Sequence, residues 1–401
     1  MADELLDRRN FIKSTTAGLG SFFFLCSYDP GKGEKAEEQK ASPQKFLFRT
    51  LGKTAIKLPL ISMGVMNSDN PNLVRAALHS GMVHLDTAQT YQRGTNEAMI
   101  GEVLKNRPRD SYVIATKAHL PVDKNTGLYK AEATAAAFQE KIDTSLKNLG
   151  LDYVDIYYHH NVWVRESALY EPIMKALGEA KKSGKTRFVG ISTHKNEPEV
   201  IQAAIDSKFY DVVLTAYNFQ QKYYGEMREA IARAAGAGVG VVAMKALGGR
   251  RLQEGEAVDP VAALKWVLQD PHVHTIIAGF TTFDQMNLDL SVMESPALTG
   301  SEKGKLQWVG SRVGLYCQGC GQCLNQCAQQ LPIPDLMRAY MYVYGYRNLR
   351  EAQDLLLTLD LPLRVCEDCA KCPVNCAMGF NISGKIRDVI RLREVPSEFM
   401  A

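Results

Sequence analysis

The sequence predicts an α/β chain: a closed parallel (β/α)8 barrel followed by a smaller, mainly helical domain at the C-terminus. Three observations carry this reading. From Leu60 onward, short apolar runs alternate with amphipathic helical stretches, eight repeats over roughly 240 residues, which is the rhythm of a closed barrel. The runner-up, an open doubly wound sheet, lacks its phosphate-binding turn, because no Gly-x-Gly-x-x-Gly follows the early runs and Gly248-Gly249 comes too late and too short. After about residue 300 the pattern breaks into two four-cysteine runs separated by helical stretches.

The 401 residues are enough for one large domain and one smaller one. A net charge of +3 with 23% charged residues gives no clustered basic surface for nucleic acid. The one basic run, 181–187, falls at a predicted helix C-terminus, where cations offset the helix dipole. No apolar run reaches the length of a transmembrane span.

Residues 1–30 read as an export signal. Arg8 and Arg9, followed by Phe11, Ile12 and Lys13, resemble a twin-arginine motif, with a weakly apolar stretch from Ser14 to Leu25 behind it. Cys26 follows Phe24-Leu25 rather than the small residue that lipid attachment prefers, and reads as incidental. Residues 31–45 are charged, lack large apolar side chains and form a linker.

A hairpin is expected over 46–58, turning at Leu51-Gly52-Lys53. Strands are expected at 60–64, 83–87, 112–117, 154–159, 188–192, 212–217, 240–244 and 275–279. Helices separate them, such as 132–149 with Ala136, Phe138, Ile142, Leu146 and Leu149 on one face. The barrel domain is placed at 46–299 and the C-terminal domain at 300–401, with helices at 335–344 and 349–359.

The chemistry gathers at the ends of consecutive strands. Asp86 and Tyr91 lie five residues apart at the end of one, Lys117 ends the next, and His159-His160 ends the third. A carboxylate that fixes an ammonium, an ammonium that makes a phenol more acidic, and a neutral imidazole suit proton transfer to a carbonyl oxygen. Because strand side chains alternate, His159 and His160 face opposite ways, and only one can join the site. The loops at 118–130 and 161–170 stand over the barrel mouth, where substrate choice is made.

These segments resemble the aldo-keto reductase family. The resemblance rests on Leu85-Asp86-Thr87-Ala88, Tyr91, Gly94, Glu97, Gly101 and Leu104, then Ala115-Thr116-Lys117 and Asp152 to His160. It continues through Gly190-Ile191-Ser192, Tyr217-Asn218 and Leu247-Gly248-Gly249, covering residues 46 to about 295. The resemblance implies a TIM barrel and a catalytic tetrad of Asp86, Tyr91, Lys117 and His160, with Tyr91 as proton donor and His159 left to packing. It also implies NAD(P)H lying across the barrel mouth, a small carbonyl or alcohol substrate, and Ser192 holding the nicotinamide carboxamide.

Around the cofactor the chain departs from the family pattern. Thr193 stands where an asparagine is common, Leu214 where a glutamine is, and Met244-Lys245-Ala246-Leu247 replaces a stretch that begins with a stacking tyrosine. Met244, Lys245 and Leu247 remain cofactor-binding candidates. The adenosine end reads Gly279, Thr281, Gln285 and Asp289, without the basic residues that favour a 2′-phosphate, so NAD and NADP both stay open. Arg250 or Arg251 is the substitute source of charge.

Cys317, Cys320, Cys323 and Cys327 have the spacing Cys-x2-Cys-x2-Cys-x3-Cys, and Cys366, Cys369, Cys372 and Cys376 repeat it. Closely spaced thiolates wrap three corners of a cubane and draw the fourth from further along, which favours two [4Fe–4S] clusters over structural zinc. The unit resembles a bacterial two-cluster ferredoxin, with Ala328 and Ala377 where that module has proline. The resemblance implies crosswise ligation, Cys327 joining the second cluster and Cys376 the first.

Clusters are inserted in the cytoplasm, and the twin-arginine route carries folded proteins, so the two readings agree on an exported, periplasmic or membrane-surface protein, or a cytoplasmic one if the signal does not function. The expected function is an NAD(P)H-dependent oxidoreductase whose clusters relay electrons, with a redox protein as possible partner. The alternative is an electron-transfer protein whose barrel is idle.

Overall fold

A computed structural model describes residues 46–400, apart from 222, 249–257, 311–315, 368, 370 and 371. The expected signal at 1–30 with Cys26, the linker at 31–45, and Arg250 and Arg251 lie outside the described residues.

The opening hairpin forms from β1 (Phe48–Thr50) and β2 (Lys57–Pro59), paired antiparallel. Gly52, at φ +51°, lets the turn come so close to the barrel that a Cβ there would lie 2.4 Å from the backbone nitrogen of Gly240. Leu51, Ile56 and Leu58 of this hairpin pack with Ala115, Ile156, Tyr158, Val212, Leu214, Val242 and Met244, so the hairpin plugs the interior of the barrel from the end opposite the site.

The barrel strands are β3 (Ile61–Gly64), β4 (His84–Asp86), β5 (Val113–Ala118), β6 (Val154–His159), β7 (Thr186–Thr193), β8 (Val212–Ala216), β9 (Gly240–Met244) and β10 (Thr275–Ala278). They close in the order β10-β3-β4-β5-β6-β7-β8-β9, all pairs parallel. The strands read as near-continuous apolar runs because both faces are covered, the inner by one another and the outer by helices. Period-2 alternation then fixes the site. Lys117 follows Ala115 and His160 follows Tyr158 on the inward side, so both arrive at the rim pointing into the barrel.

The helix expected at 132–149 starts three residues later and leaves Ala136 exposed, because the Thr134 cap sets its first turn. Helix Ala135–Leu149 starts at Thr134, whose side chain accepts from the Ala137 amide, buries Phe138, Ile142, Leu146 and Leu149, and stops at Gly150 in the left-handed region. No helix among the described residues is long and apolar enough to cross a membrane.

The C-terminal region is helical: Gly300–Gly310, Ile333–Met341, Leu349–Leu357 and Ile382–Ile390. The expected helix at 335–344 starts earlier and changes at Tyr342–Tyr346 into a π-helical turn. Helix Ile382–Ile390, capped by Asn381, was not anticipated. Leu336, Met337, Ala352, Leu356, Ile386 and Val389 form a core of their own.

This region does not stand apart from the barrel. Lys195, just past β7, donates to Asp335 at 2.8 Å, with only 4% and 8% of the two side chains exposed. Arg93 pairs with Asp354 at 2.8 Å, and Asn348 donates to Asn67 at 3.1 Å. Removing one partner of a buried ion pair leaves an uncompensated charge. Lys195→Met is therefore expected to destabilise the chain by about 3 kcal/mol, read as a lower urea midpoint, whereas Arg93→Met at the exposed pair should cost less than about 1 kcal/mol.

Candidate active site

Asp86 ends β4 and Lys117 lies near the end of β5, and their side chains form an ion pair with 1% and 2% exposure. Lys117 donates a further hydrogen bond to the Thr87 carbonyl at 2.7 Å. Burial works against both charges, pushing the Asp86 carboxyl up and the Lys117 ammonium down, and each is the other's main support. The second carboxylate oxygen of Asp86 has no partner.

Tyr91 begins a short turn, Tyr91–Gly94, in which Gln92 and Arg93 take left-handed backbone angles. The Lys117 ammonium stands 5.1 Å from the centre of its ring. Here the structure departs from the sequence expectation. Lys117 gives its hydrogen bonds to Asp86 and Thr87 and makes none to the phenol. The phenol is also not acidified: burial first, then Asp86, Tyr342, Glu351 and Tyr346, hold it well above the usual tyrosine range. Glu351, Tyr342 and Tyr346 of the C-terminal region roof the phenol and outweigh the ammonium.

His160 follows β6, its ring edge-on to Tyr91 with centroids 6.4 Å apart. Its Nδ1 is buried without a partner, and burial together with Lys117 keeps the imidazole neutral. His159 turns the other way. Its Nδ1 pairs with Tyr210 Oη at 3.0 Å and its Nε2 with Tyr129 Oη, so both nitrogens are satisfied in packing. His119 and His194 complete a row of imidazoles, their ring centres 5.7 and 6.3 Å from that of His160.

Asp86, Tyr91 and His160 open into one cavity of about 300 Å³. Of the residues expected to hold a cofactor, Met244, Lys245, Leu247, Gly279, Thr281, Gln285 and Asp289 line it too. Ser192 and Thr193 do not. Ser192 Oγ accepts from the Asn161 amide at 2.9 Å and so orders the loop behind His160, while Thr193 Oγ1 donates to the Lys195 carbonyl at 2.8 Å. Lys245 has a left-handed φ of 58° and lies 5.7 and 5.2 Å from the rings of Tyr342 and Tyr346.

The sequence missed part of the wall: His119, Lys124 and His194 from the barrel loops, and Arg338, Tyr342, Tyr346 and Glu351 from the C-terminal helices. The barrel loops were the expected place. Nothing in the spacing of residues 333–357 shows which helix face would dock on the barrel.

All eight described cysteines are free thiols. They sort into two sets. Cys317 is pushed up to about 11 by burial and then by Cys320 and Cys376, and Cys323 up to about 12 by burial and then by Cys317, Cys320 and Cys376. Cys366 is pushed up to about 11 by burial and then by Cys327, Cys372 and Cys369. Two sulfurs accept backbone hydrogen bonds, Cys317 from Gly319 at 3.3 Å and Cys376 from Met378 at 3.4 Å. Among the described residues, no three His, Cys, Asp or Glu side chains converge tightly enough to hold a single metal ion. Gly319, at φ +75°, packs so closely on the strand β7 loop that a Cβ there would lie 2.6 Å from the His194 carbonyl oxygen.

Polar residues at the C-terminal rim of a closed parallel barrel are where this architecture does chemistry, and fold and rim together define a (β/α)8-barrel enzyme. Residues 63–262 match the model of the Aldo/keto reductase family. Through this barrel the chain belongs to the aldo/keto reductase family. L-glyceraldehyde 3-phosphate reductase of Escherichia coli K12 is 32% identical over 173 residues, which are 39% of this chain and 49% of that protein. L-galactose dehydrogenase of Arabidopsis thaliana is 32% identical over 163 residues, 37% of this chain and 49% of that one. The chain thus spans about half the length of these curated relatives. The holo form of an aldo-keto reductase from Bacillus halodurans, AKR11C1, superposes with a TM-score of 0.56 at 25% identity, covering 66% of this chain and 96% of that one.

Proposed function

We propose that this protein is an NAD(P)H-dependent oxidoreductase that interconverts a carbonyl and an alcohol, with Tyr91 as proton donor and two [4Fe–4S] clusters as electron carriers. The observation that carries the reductase reading is the buried Asp86–Lys117 pair beneath a cavity walled by Tyr91 and His160. A phenol held protonated at neutral pH is a donor with its proton in place. When the proton leaves, Lys117 is the nearest charge that stabilises the phenolate, and Asp86 fixes Lys117. A neutral His160 can donate one hydrogen bond to the carbonyl oxygen and so position it toward Tyr91.

The cavity residues at and beyond the ends of β9 and β10 fit a nicotinamide cofactor. Met244 offers an apolar face to a flat ring, Lys245 a cation to a pyrophosphate, and Thr281, Gln285 and Asp289 polar groups to an adenosine. NAD(P)H bound there would supply the hydride. Ser192 Oγ accepts from the Asn161 backbone amide and keeps its own O–H as a donor for the nicotinamide carboxamide.

The two cysteine sets fit a multi-iron cluster better than zinc. A single zinc holds its sulfurs about 2.3 Å away, which requires a convergence that these sets lack. Crowded thiols whose ionisation is opposed by one another suit a large cationic core. The sets are crosswise: Cys376 neighbours Cys317 and Cys323, and Cys327 neighbours Cys366. Bound clusters would supply one-electron transfer. Gly319 against His194, and His194 beside His160, bring the first cysteine loop next to the reaction cavity. Arg8-Arg9 at the head of the chain supports export after folding, to the periplasm or a membrane surface.

Anaerobic purification followed by iron and sulfide analysis and NADH and NADPH titration tests these parts separately. Cofactor fluorescence quenching and bleaching of the iron–sulfur visible absorbance by reduced cofactor are expected. Iron without any cofactor binding would leave an electron-transfer protein with an idle barrel. Cofactor binding without bleaching would leave a reductase with structural clusters.

A further inference from the structure

We propose that the substrate carries a carboxylate or a phosphate, and that Arg338 and Lys124 bind it while its carbonyl meets Tyr91 and His160. This rests on the reductase reading above. Arg338 lies on helix Ile333–Met341 and lines the cavity with its side chain only 11% exposed. Among the described residues its one ion-pair contact is Asp335 Oδ1 at 3.7 Å, beyond hydrogen-bonding distance, and the other oxygen of Asp335 is taken by Lys195 at 2.8 Å. No hydrogen bond among the described residues uses the guanidinium of Arg338. A planar fork of five donors, mostly withdrawn from water and unpaired, is matched in shape by a carboxylate or phosphate.

Lys124 reaches the same cavity from the loop after β5, half-buried, and its ammonium makes no ion pair or hydrogen bond among the described residues. The nearest acid, Asp335, is shared among Lys195, Arg338 and Lys124, so one carboxylate faces three cations. Asp86 is held by Lys117 and Asp354 by Arg93, and burial pushes Glu351 up to about 7. His119, pushed down to about 4, and His160 and His194, both well below the usual range, contribute hydrogen-bonding nitrogens without charge. With Lys245 facing the cofactor's pyrophosphate, two cations remain for a substrate.

The test compares charged and uncharged carbonyls of similar length on the full, cluster-containing protein: succinic semialdehyde with butanal, and glyceraldehyde 3-phosphate with glyceraldehyde. The ratio of kcat/KM within the preferred pair is expected to favour the anion by about tenfold or more, a difference of about 1.4 kcal/mol. It should collapse in Arg338→Gln, weaken in Lys124→Met and partly return in Arg338→Lys, and the pair that responds tells carboxylate from phosphate. Succinate or inorganic phosphate binding, followed calorimetrically, should be lost in the same variants. Because Arg338→Gln could loosen the helix beside Asp335, Lys124→Met on the barrel loop serves as the independent variant. If no carbonyl is reduced yet the anion still binds and is lost in both variants, the oxyanion site stands and the reductase reading falls. Equal rates within both pairs, with no anion binding, overturn the proposal and leave the reductase. An equal loss of NADPH affinity in Arg338→Gln and Lys124→Met also overturns it, because the cations then belong to the cofactor.

Discussion

Replacing Tyr91 by Phe is expected to lower kcat by about 10²–10⁴-fold, the usual contribution of a positioned proton donor, while NADPH binding persists. The substitution removes one oxygen and keeps the ring that packs edge-on to His160, so loss of fold is not the expected cause of any loss of rate. Lys117→Met should be nearly as severe in rate, for a different reason. It takes away the charge 5.1 Å from the phenol and leaves Asp86 buried without its partner. The two are told apart by pH. In the wild type the phenol is held well above the usual range, chiefly by burial, so it stays protonated across neutral and mildly basic pH. Reduction should therefore show no basic limb from Tyr91 in that span. A full rate in Tyr91→Phe would remove this residue from the chemistry.

Cys327→Ser is expected to remove the second cluster rather than the first, lowering iron from roughly eight to roughly four atoms per chain. On the proposed ligation this follows from the neighbours of the Cys366 thiol, which are Cys327, Cys372 and Cys369, although Cys327 follows Cys323 in sequence. Cys376→Ser should likewise remove the cluster proposed on Cys317, Cys320 and Cys323. Paramagnetic resonance of the reduced variants would show which signal survives. Retention of both clusters in Cys327→Ser would refute the assignment.

The barrel was legible because its signals are local and repeated. The run at 154–159 and the run at 240–244 appear as β6 and β9 with the same bounds, since parallel strands covered on both faces leave a continuous apolar record. The rim positions of Asp86, Lys117 and His160 were legible for the same reason, each at a strand end whose direction the alternation fixes, whereas Tyr91 lies in the turn beyond β4 and was placed by resemblance. Ser192 sits on its expected strand but does not line the cavity, and its oxygen accepts from Asn161, a loop contact that no periodicity encodes. The acidity of Tyr91 was misjudged because Tyr342, Tyr346 and Glu351, about 250 residues further on, enclose it. Amphipathic helices reveal that they bury a face but not against what.

The chamber takes its floor from the barrel and its ceiling from helices bracketed in sequence by the two cysteine runs. Oxygen damage that unravelled those runs would therefore uncover the chamber as well. On the cluster reading proposed above, such a molecule would forfeit substrate capture together with its wiring.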